Sequence, residues 1–391
     1  MAGGPDYFIG VEGVSTRHAV GVLATTEGKI RSAVRKHTGM SLHATDPDEL
    51  IVRLNNVLTE TLRRAGLQAN VLERAAVCIS LTGVTFQYDR QVVLPQLLGE
   101  AEMTFGRLVC TGDAEAIFAS HAQTTSGTLV LSHCGSTAYA VLSREGVLSH
   151  YRFGGWGPAI GDEGSGFWMG REVLRVIGHQ HDCGQVNSLL WQEVRAWLEK
   201  PTPVAPHWSE ASLLWHILVR EHAASAASAR SDPRTLLFAF THKLAIQHND
   251  GIYRTTVAGL TVPLMRAFEK GDPDAQKIVS EAVDHLARQH EGVRRRAEIQ
   301  QALPVVLYGG VLNHNESIRT MLHERLEARM GHAIEPITPR HPRSMRPVMG
   351  ALMFAMGGSR VEGLQLPKPA LIEKLRQEQA LPEFRMDLIN D

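Results

Sequence analysis

Five short segments of this chain place glycine at the ends of apolar runs, four of them together with hydroxyl, thiol or acidic side chains. The first is Glu12-Gly13-Val14-Ser15-Thr16, following Phe8-Ile9-Gly10-Val11. The second is Thr111-Gly112-Asp113-Ala114, where an apolar run stops at a carboxylate. The third is His133-Cys134-Gly135-Ser136, after Leu129-Val130-Leu131-Ser132. The fourth runs from Gly154 to Gly166 and holds Gly155, Trp156, Asp162 and Glu163. The fifth is Gly309-Gly310-Val311-Leu312, after Pro304–Tyr308. A turn built of glycine and a small hydroxyl residue offers backbone N–H groups and a side-chain O–H to an anion. Two such turns facing each other could hold a polyphosphate. A carboxylate at a strand end, such as Asp113, can take the proton of an attacking hydroxyl. The plainer reading of Asp113 is an N-cap for a helix over Ala114–Ser120. The acids Asp162 and Glu163 suit hydrogen bonding to several hydroxyls of one ligand, or capping of the helix that begins near Gly166. Trp156, flanked by glycines, has few neighbours of its own. Its ring packs on something outside the loop, either a ligand face or a core or dimer contact.

Those segments need strands and helices behind them, and the pattern supplies both. Ser15-Thr16-Arg17-His18-Ala19-Val20, then Glu27-Gly28, returns as Ser136-Thr137-Ala138-Tyr139-Ala140-Val141, then Glu145-Gly146. Each copy reads as strand, glycine turn, strand, second turn, so the fold is duplicated. Strands are expected at Tyr7–Val11, His18–Ala24, Ile30–Arg35, Ala75–Leu81 and Arg107–Thr111, with helices at Asp46–Ala65 and Val92–Ala101. The second half repeats the start with strands at Thr128–His133, Thr137–Ser143 and Val147–Phe153, then a helix over Gly166–Ile177. Gln185–Asp250 reads as mainly helical, with the low-complexity stretch Ala223–Arg230. Two amphipathic helices, Thr255–Lys270 and Asp272–Gln300, are split at Gly271-Asp272-Pro273, where Asp272 can cap and Pro273 opens the second. Pro304–Tyr308 is a buried strand, Ser344–Met356 a helix of small residues, and Gly363–Asp391 a tail with one short helix.

The chain has 391 residues, 43% hydrophobic and 21% charged, with a net charge of −1. That length calls for two domains, and the charge balance points to no nucleic-acid or anionic-membrane partner. Arg294-Arg295-Arg296 reads as a solvated helix face. There is no apolar stretch of signal-peptide or membrane-span length, so a cytoplasmic protein is expected. The four cysteines lack CxxC spacing; Cys78 and Cys110 fall within apolar runs and read as buried free thiols. His179-Gln180-His181-Asp182-Cys183 reads as a polar loop, and no metal-ligand set is assigned. The GxxxxGK[ST] loop, a GxGxxG opening a βαβ unit, the GxSxG elbow and HExxH are all absent.

The segment Gly154–Gly166, continuing Phe167-Trp168-Met169-Gly170-Arg171-Glu172, resembles the GGWG…GDEGS…W-x-G-R signature of N-acetylglucosamine kinase. That kinase belongs with the BadF/BadG/BcrA/BcrD-type ATPases of the actin/hexokinase/Hsp70 superfamily. Gly10–Arg17 is similar to its VEGGGTR phosphate motif, and Gly271-Asp272-Pro273 and Gly309-Gly310-Val311 fall in the family's order. The resemblance covers roughly residues 8 to 357.

It implies an α/β fold of two duplicated ribonuclease H-like (actin-like ATPase) domains, with mixed five-stranded sheets around an interdomain cleft. The expected boundaries are 1–115, 116–357 with a helical insertion at about 185–250, and a tail at 358–391 packing back on the N-terminal domain. Carried over by position, Asp113 would be the catalytic base. Gly13, Thr16, Cys134, Gly135, Gly309 and Gly310 would contact ATP. Ser136, Gly155, Trp156, Asp162 and Gly166 would line the sugar site. The implied reaction is ATP- and Mg2+-dependent phosphorylation of a hydroxyl, O6 for preference, of an amino sugar such as N-acetylglucosamine or glucosamine, by a homodimer. The alternatives on the same fold are a nucleotide- or sugar-binding regulator without turnover and a BadF-type ATPase. The chain departs from the family at Val14-Ser15 and His133-Cys134, where both phosphate turns carry more glycine, at Gly112, and at Gly39–Leu42, where a sugar-binding asparagine is missing.

Overall fold

The two expected hairpins grow into two sheets of the same plan. In the computed structural model, which describes residues 4–13, 18–42, 45–85, 87–144, 147–184, 187–199, 250–357, 359–360 and 363–381, the first sheet contains β1 (Tyr7–Gly13), β2 (Ala19–Thr25), β3 (Ile30–Lys36), β4 (Ala75–Leu81) and β5 (Arg107–Gly112). The second contains β6 (Gly127–Ser132), β7 (Ser136–Arg144), β8 (Val147–Gly154) and β9 (Val305–Tyr308). The orders are β3-β2-β1-β4-β5 and β8-β7-β6-β9. In each sheet the first strand is antiparallel to its hairpin partner and parallel to the strand on its other side. The second sheet therefore has four strands, not the expected five. At the fifth place, Ile337 makes a single parallel bridge to Val306 and is too short a contact to form a strand.

The central strands are apolar on both faces because both faces are covered. Along β1, Phe8 faces one core while Ile9 and Val11 face another; along β6, Leu129 and Leu131 face that same first core and Val130 a third. The first core lies between the sheets. It is filled by α3 (Asp113–Ala122) and α11 (Pro347–Gly357), which supply Ile117, Phe118, Met349, Leu352 and Phe354. These two helices cross so closely that a Cβ on Gly350 would stand 1.9 Å from the Ala116 carbonyl oxygen. The small residues of α11 are what permit that approach. The outer face of the first sheet is covered by α1 (Pro47–Arg64), where Asp46 accepts the N–H groups of Asp48 and Glu49. On that side too are a short 3-10 helix (Ala69–Arg74) and α2 (Leu94–Glu100), the latter preceded by a wider turn over Asp89–Val93, so the helix expected at Val92–Ala101 starts differently.

The outer face of the second sheet is covered by α4 (Gly166–Asp182), α5 (Leu189–Glu199), α6 (Asp250–Ala258), α7 (Thr261–Glu269) and α8 (Pro273–Arg296). The histidine-rich run 179–183 is the last turn and cap of α4 rather than a loop, and no cluster of three or more metal-ligating side chains occurs among the described residues. The helix expected over Thr255–Lys270 is two helices. Pro263 lacks an N–H and its ring excludes the carbonyl four residues back, so the chain breaks at Gly259-Leu260 before it. Asp272 caps α8 as expected by accepting the Ala275 N–H, and its other oxygen accepts the Leu190 N–H at 2.9 Å, tying α5 to α8. After β9 come a short turn of helix, α9 (Gly310–His314), and α10 (Glu316–Met330), which the sequence pattern did not display. In the tail, α12 (Pro369–Gln379) lies beside β3, where Glu378 accepts the Ile30 N–H. Most of 185–250, including the Ala223–Arg230 stretch, lies outside the described residues, as do Val14–Arg17. Cys78 and Cys110 are buried free thiols. Among the described residues no helix is long and apolar enough to cross a membrane.

Candidate active site

The strand ends carry the expected residues. Gly13, Leu81 and Gly112 close the three parallel strands β1, β4 and β5 at one edge of the first sheet. Ser132 and Tyr308 close the parallel pair β6 and β9 in the second. The carboxyl edge of parallel strands is where α/β proteins bind ligands, and the expected residues lie along these two edges. Thr16 is outside the described residues.

Asp113 is the first residue of α3 and Gly112 occupies its cap position, so the capping reading of Asp113 does not hold. Its Oδ1 accepts the N–H of Ala114 at 2.9 Å, and its Oδ2 accepts the Thr82 hydroxyl at 3.0 Å. Thr82 is itself pinned to the end of β1, where its N–H donates to the Gly13 carbonyl at 3.2 Å. Met40 lies against Gly13, and Ser41 bridges Thr82, so the Gly39–Leu42 segment runs beside this carboxylate. Close by is Glu12, a residue to which the sequence assigned no role. Burial first, and the Asp113 charge second, push its carboxyl up to about 8, against the N–H of Val348 and the charges of Arg35 and Arg346. Behind Asp113, Glu115 forms a buried ion pair with Arg90. A Cβ on Gly112 would stand 2.4 Å from the Val84 carbonyl oxygen and 2.6 Å from the Glu115 carboxylate, which accounts for glycine at this position.

The turn His133–Ser136 is closed by the His133 N–H donating to the Gly135 carbonyl at 2.9 Å. Its outward N–H groups do not stand free. Those of Cys134 and Gly135 donate to the His133 Nδ1 at 2.8 and 3.5 Å, and that of Ser136 is bonded to the Asp162 carboxylate. This corrects the expectation that the turn offers fixed N–H dipoles. The imidazole in place of a glycine has folded back and occupies them. The Ser136 hydroxyl is also committed: it donates to the Glu163 carbonyl at 2.6 Å and accepts from Gln289 at 3.2 Å. The Gly166 N–H donates to the His133 carbonyl at 2.7 Å. The turn and the 154–166 loop are thus stitched into one body. Ser165, not Asp162 or Glu163, caps α4.

Within that loop, Asp162 is buried with φ 60°, a left-handed conformation that aspartate tolerates. Burial pushes its carboxyl upward, opposed by Arg254 and by the N–H groups of Ser136 and Gly157. Arg254, from α6, donates to Asp162 Oδ2 at 2.7 Å. No sequence signal marked Arg254, because its partner lies 92 residues away. Trp156 is 71% exposed, which excludes a core contact, and Ile160 in the same loop is exposed as well. The Gly155 carbonyl accepts from Arg152, whose other nitrogen donates to Thr85 at 2.8 Å and so reaches from the second sheet to the first. Gly309 has φ 114°, and a Cβ there would stand 2.2 Å from the Ser132 carbonyl oxygen, so the β9 turn presses on the end of β6. Nothing within 4 Å fills the space a Cβ on Gly310 would take.

The model of the BadF/BadG/BcrA/BcrD ATPase family matches residues 9–355. The chain belongs to the BadF/BadG/BcrA/BcrD ATPase family. The chain is 23% identical over 309 residues to an N-acetylmuramic acid/N-acetylglucosamine kinase of Clostridium acetobutylicum, covering 79% of this chain and 86% of that protein. Among solved structures it resembles a candidate N-acetylglucosamine kinase from Chromobacterium violaceum, with a TM-score of 0.61 and 20% identity over 90% of this chain and 99% of that one. A second, from Porphyromonas gingivalis, has a TM-score of 0.54 and 16% identity, covering 89% and 98%. At these identities the two structures establish the actin-like fold, which the duplicated sheets display.

Proposed function

We propose that this BadF/BadG/BcrA/BcrD-family protein is an ATP-dependent kinase that transfers the γ-phosphoryl group to a hydroxyl of an amino sugar, with O6 of N-acetylglucosamine or glucosamine as the acceptor. The observation that carries the reading is the placement of Asp113. Its carboxylate is fixed at the end of β5 by Thr82 and the Ala114 N–H, near enough to His133 of the turn 133–136 for its charge to act on that imidazole. The Clostridium relative, named for N-acetylmuramic acid and N-acetylglucosamine, supports the amino-sugar class.

The residues supply the steps such a transfer needs. Asp162, buried and bonded to Arg254 and to the Ser136 N–H, holds the 154–166 loop against the turn 133–136, and Trp156 offers an exposed ring to an apolar sugar face. Asp113 accepts the proton of the acceptor hydroxyl. The hydroxyl oxygen then forms the new bond to the γ-phosphorus while the bond to the β–γ bridging oxygen breaks, its electron pair leaving with ADP. Mg2+ is proposed with the nucleotide on the resemblance: among the described residues no cluster of three or more metal-ligating side chains occurs, and the Glu12 carboxyl beside Asp113 would be one oxygen donor to it, against the Arg35 and Arg346 charges. The ion would neutralise phosphate oxygens. Gly309 and Gly310 are proposed to border the adenosine, and the homodimer is proposed with them on the resemblance alone.

The internally bonded N–H groups of the turn 133–136 favour one other reading, a protein that binds nucleotide or sugar without turnover. Incubation with γ-labelled ATP and a panel of hexoses and hexosamines decides between them. Transfer to an amino sugar, with phosphorus–proton coupling at C6, is expected. A folded protein that binds ligand yet labels no sugar overturns the kinase reading.

A further inference from the structure

Three groups meet at one point in this site. The Arg254 Nη2 bonded to Asp162 also stands 3.1 Å from the place a Gly135 Cβ would take, and Asp162 Oδ2 stands 3.0 Å from it. The guanidinium therefore lies between the turn 133–136 and the loop that carries Asp162. Only part of its hydrogen-bonding capacity is used there. A guanidinium has five N–H donors in one plane, and the Arg254 Nε–H is buried without a partner. A buried donor left unpaired is unfavourable, and the rest of the side chain is not buried with it: 29% of it is exposed. The neighbouring donors are already engaged: the N–H groups of Cys134 and Gly135 by His133, and that of Ser136 by Asp162. A phosphate approaching this turn meets the fixed positive charge of Arg254 rather than free backbone N–H groups.

We propose that Arg254 is a catalytic residue that binds the γ-phosphoryl group as it passes from ATP to the acceptor. The proposal rests on the kinase reading. Asp162 holds one edge of the guanidinium, so its orientation is set before nucleotide arrives, and the side chain, still 29% exposed, presents its uncovered part to phosphoryl oxygens. The transferring group spreads negative charge over three equatorial oxygens, and a planar cation with parallel donors stabilises that charge better than a point charge does. The proton still goes to Asp113 and the leaving electron pair to ADP, so Arg254 adds no bond-making step.

The test compares wild type with Arg254→Ala and Arg254→Lys, each checked for a wild-type circular dichroism spectrum. Calorimetry measures affinity for ADP, for a non-hydrolysable ATP analogue and for ADP with aluminium fluoride; steady-state assays give kcat and sugar KM. In Arg254→Ala, kcat is expected to fall by about 10³-fold. ADP affinity should stay within about twofold, while the preference for the ATP analogue and for the aluminium fluoride complex over ADP is lost. Lysine, lacking the planar fork, should restore only part. An unchanged analogue-to-ADP preference overturns the proposal. So does a change confined to sugar KM or to discrimination among acidic sugars, since Arg254 would then act on Asp162 or on a sugar carboxylate. A wild type that phosphorylates no sugar overturns the kinase reading instead, and the analogue-to-ADP preference still reports whether Arg254 meets a γ-phosphoryl group.

Discussion

Replacing Asp113 by asparagine isolates its charge from its shape. The carboxylate has two local bonds, from the Ala114 N–H to Oδ1 and from the Thr82 hydroxyl to Oδ2. An asparagine can keep the first through its carbonyl oxygen. Its NH2 can replace the second by reversing it, because the Thr82 hydroxyl has an alternative acceptor, the Gly13 carbonyl at 3.4 Å. The cost to folding is therefore small, below about 1 kcal/mol. What is lost is the base. General-base catalysis contributes roughly 10²–10⁴-fold, about 3–5 kcal/mol of barrier. Asp113→Asn should therefore lower kcat by that factor with sugar KM and nucleotide affinity within about threefold, in a coupled ADP-release assay and by calorimetry. A second signature comes from Glu12. The Asp113 charge is the second largest cause of its raised pKa. The variant should therefore bring the Glu12 carboxyl down from about 8, readable by carbon-13 NMR of labelled glutamate in metal-free protein. A variant that keeps kcat within tenfold of wild type would falsify the assignment of the base.

Two further outcomes follow from burial. His290 is held at about 3 by burial and then by the Arg294 charge, and His121 at about 4 by burial, each against an ordinary 6.5. Both stay neutral in the fold while the unfolded chain takes up protons, so their stabilisation is complete above about 6.5 and is lost as pH falls toward 4 and then 3. Glu12 acts oppositely: it stays protonated in the fold up to about 8 while an unfolded glutamate ionises above 4.5, so its contribution is lost as pH rises between them. Each group gives a slope of roughly 1.4 kcal/mol per pH unit within its window. Metal-free protein should melt highest near about pH 6.5, and Glu12→Gln should flatten the alkaline side; a variant with an unaltered alkaline limb refutes this. Gly350→Val should lower stability by about 1–3 kcal/mol through overpacking, because even a Cβ would stand 1.9 Å from the Ala116 oxygen on the helix that begins with Asp113. A loss of both melting temperature and kcat is expected, and an unchanged melting temperature counts against the close crossing.

The sequence alone determined the framework. Runs such as Ala75–Leu81, apolar and bounded by polar residues, specify a strand through short-range periodicity, and β4 has those bounds. The repeated hairpin phrase specified two sheets of one plan, and the strand-end acids and glycines were legible because turns require particular residues at particular places. Local pattern failed where a single residue overrode periodicity, as Pro263 did in dividing α6 from α7, and at α10, whose apolar positions form no clear stripe. Tertiary structure alone decided the chemistry. Glu12 became a proton-holding acid only when burial and Asp113 surrounded it. The N–H groups of the turn 133–136 became occupied only when His133 folded onto them. Arg254 joined the site across 92 residues of sequence. Charge, desolvation and hydrogen-bond satisfaction depend on which groups share a few ångströms of space, and that is set by packing of the whole chain, not by the order of its neighbours along it.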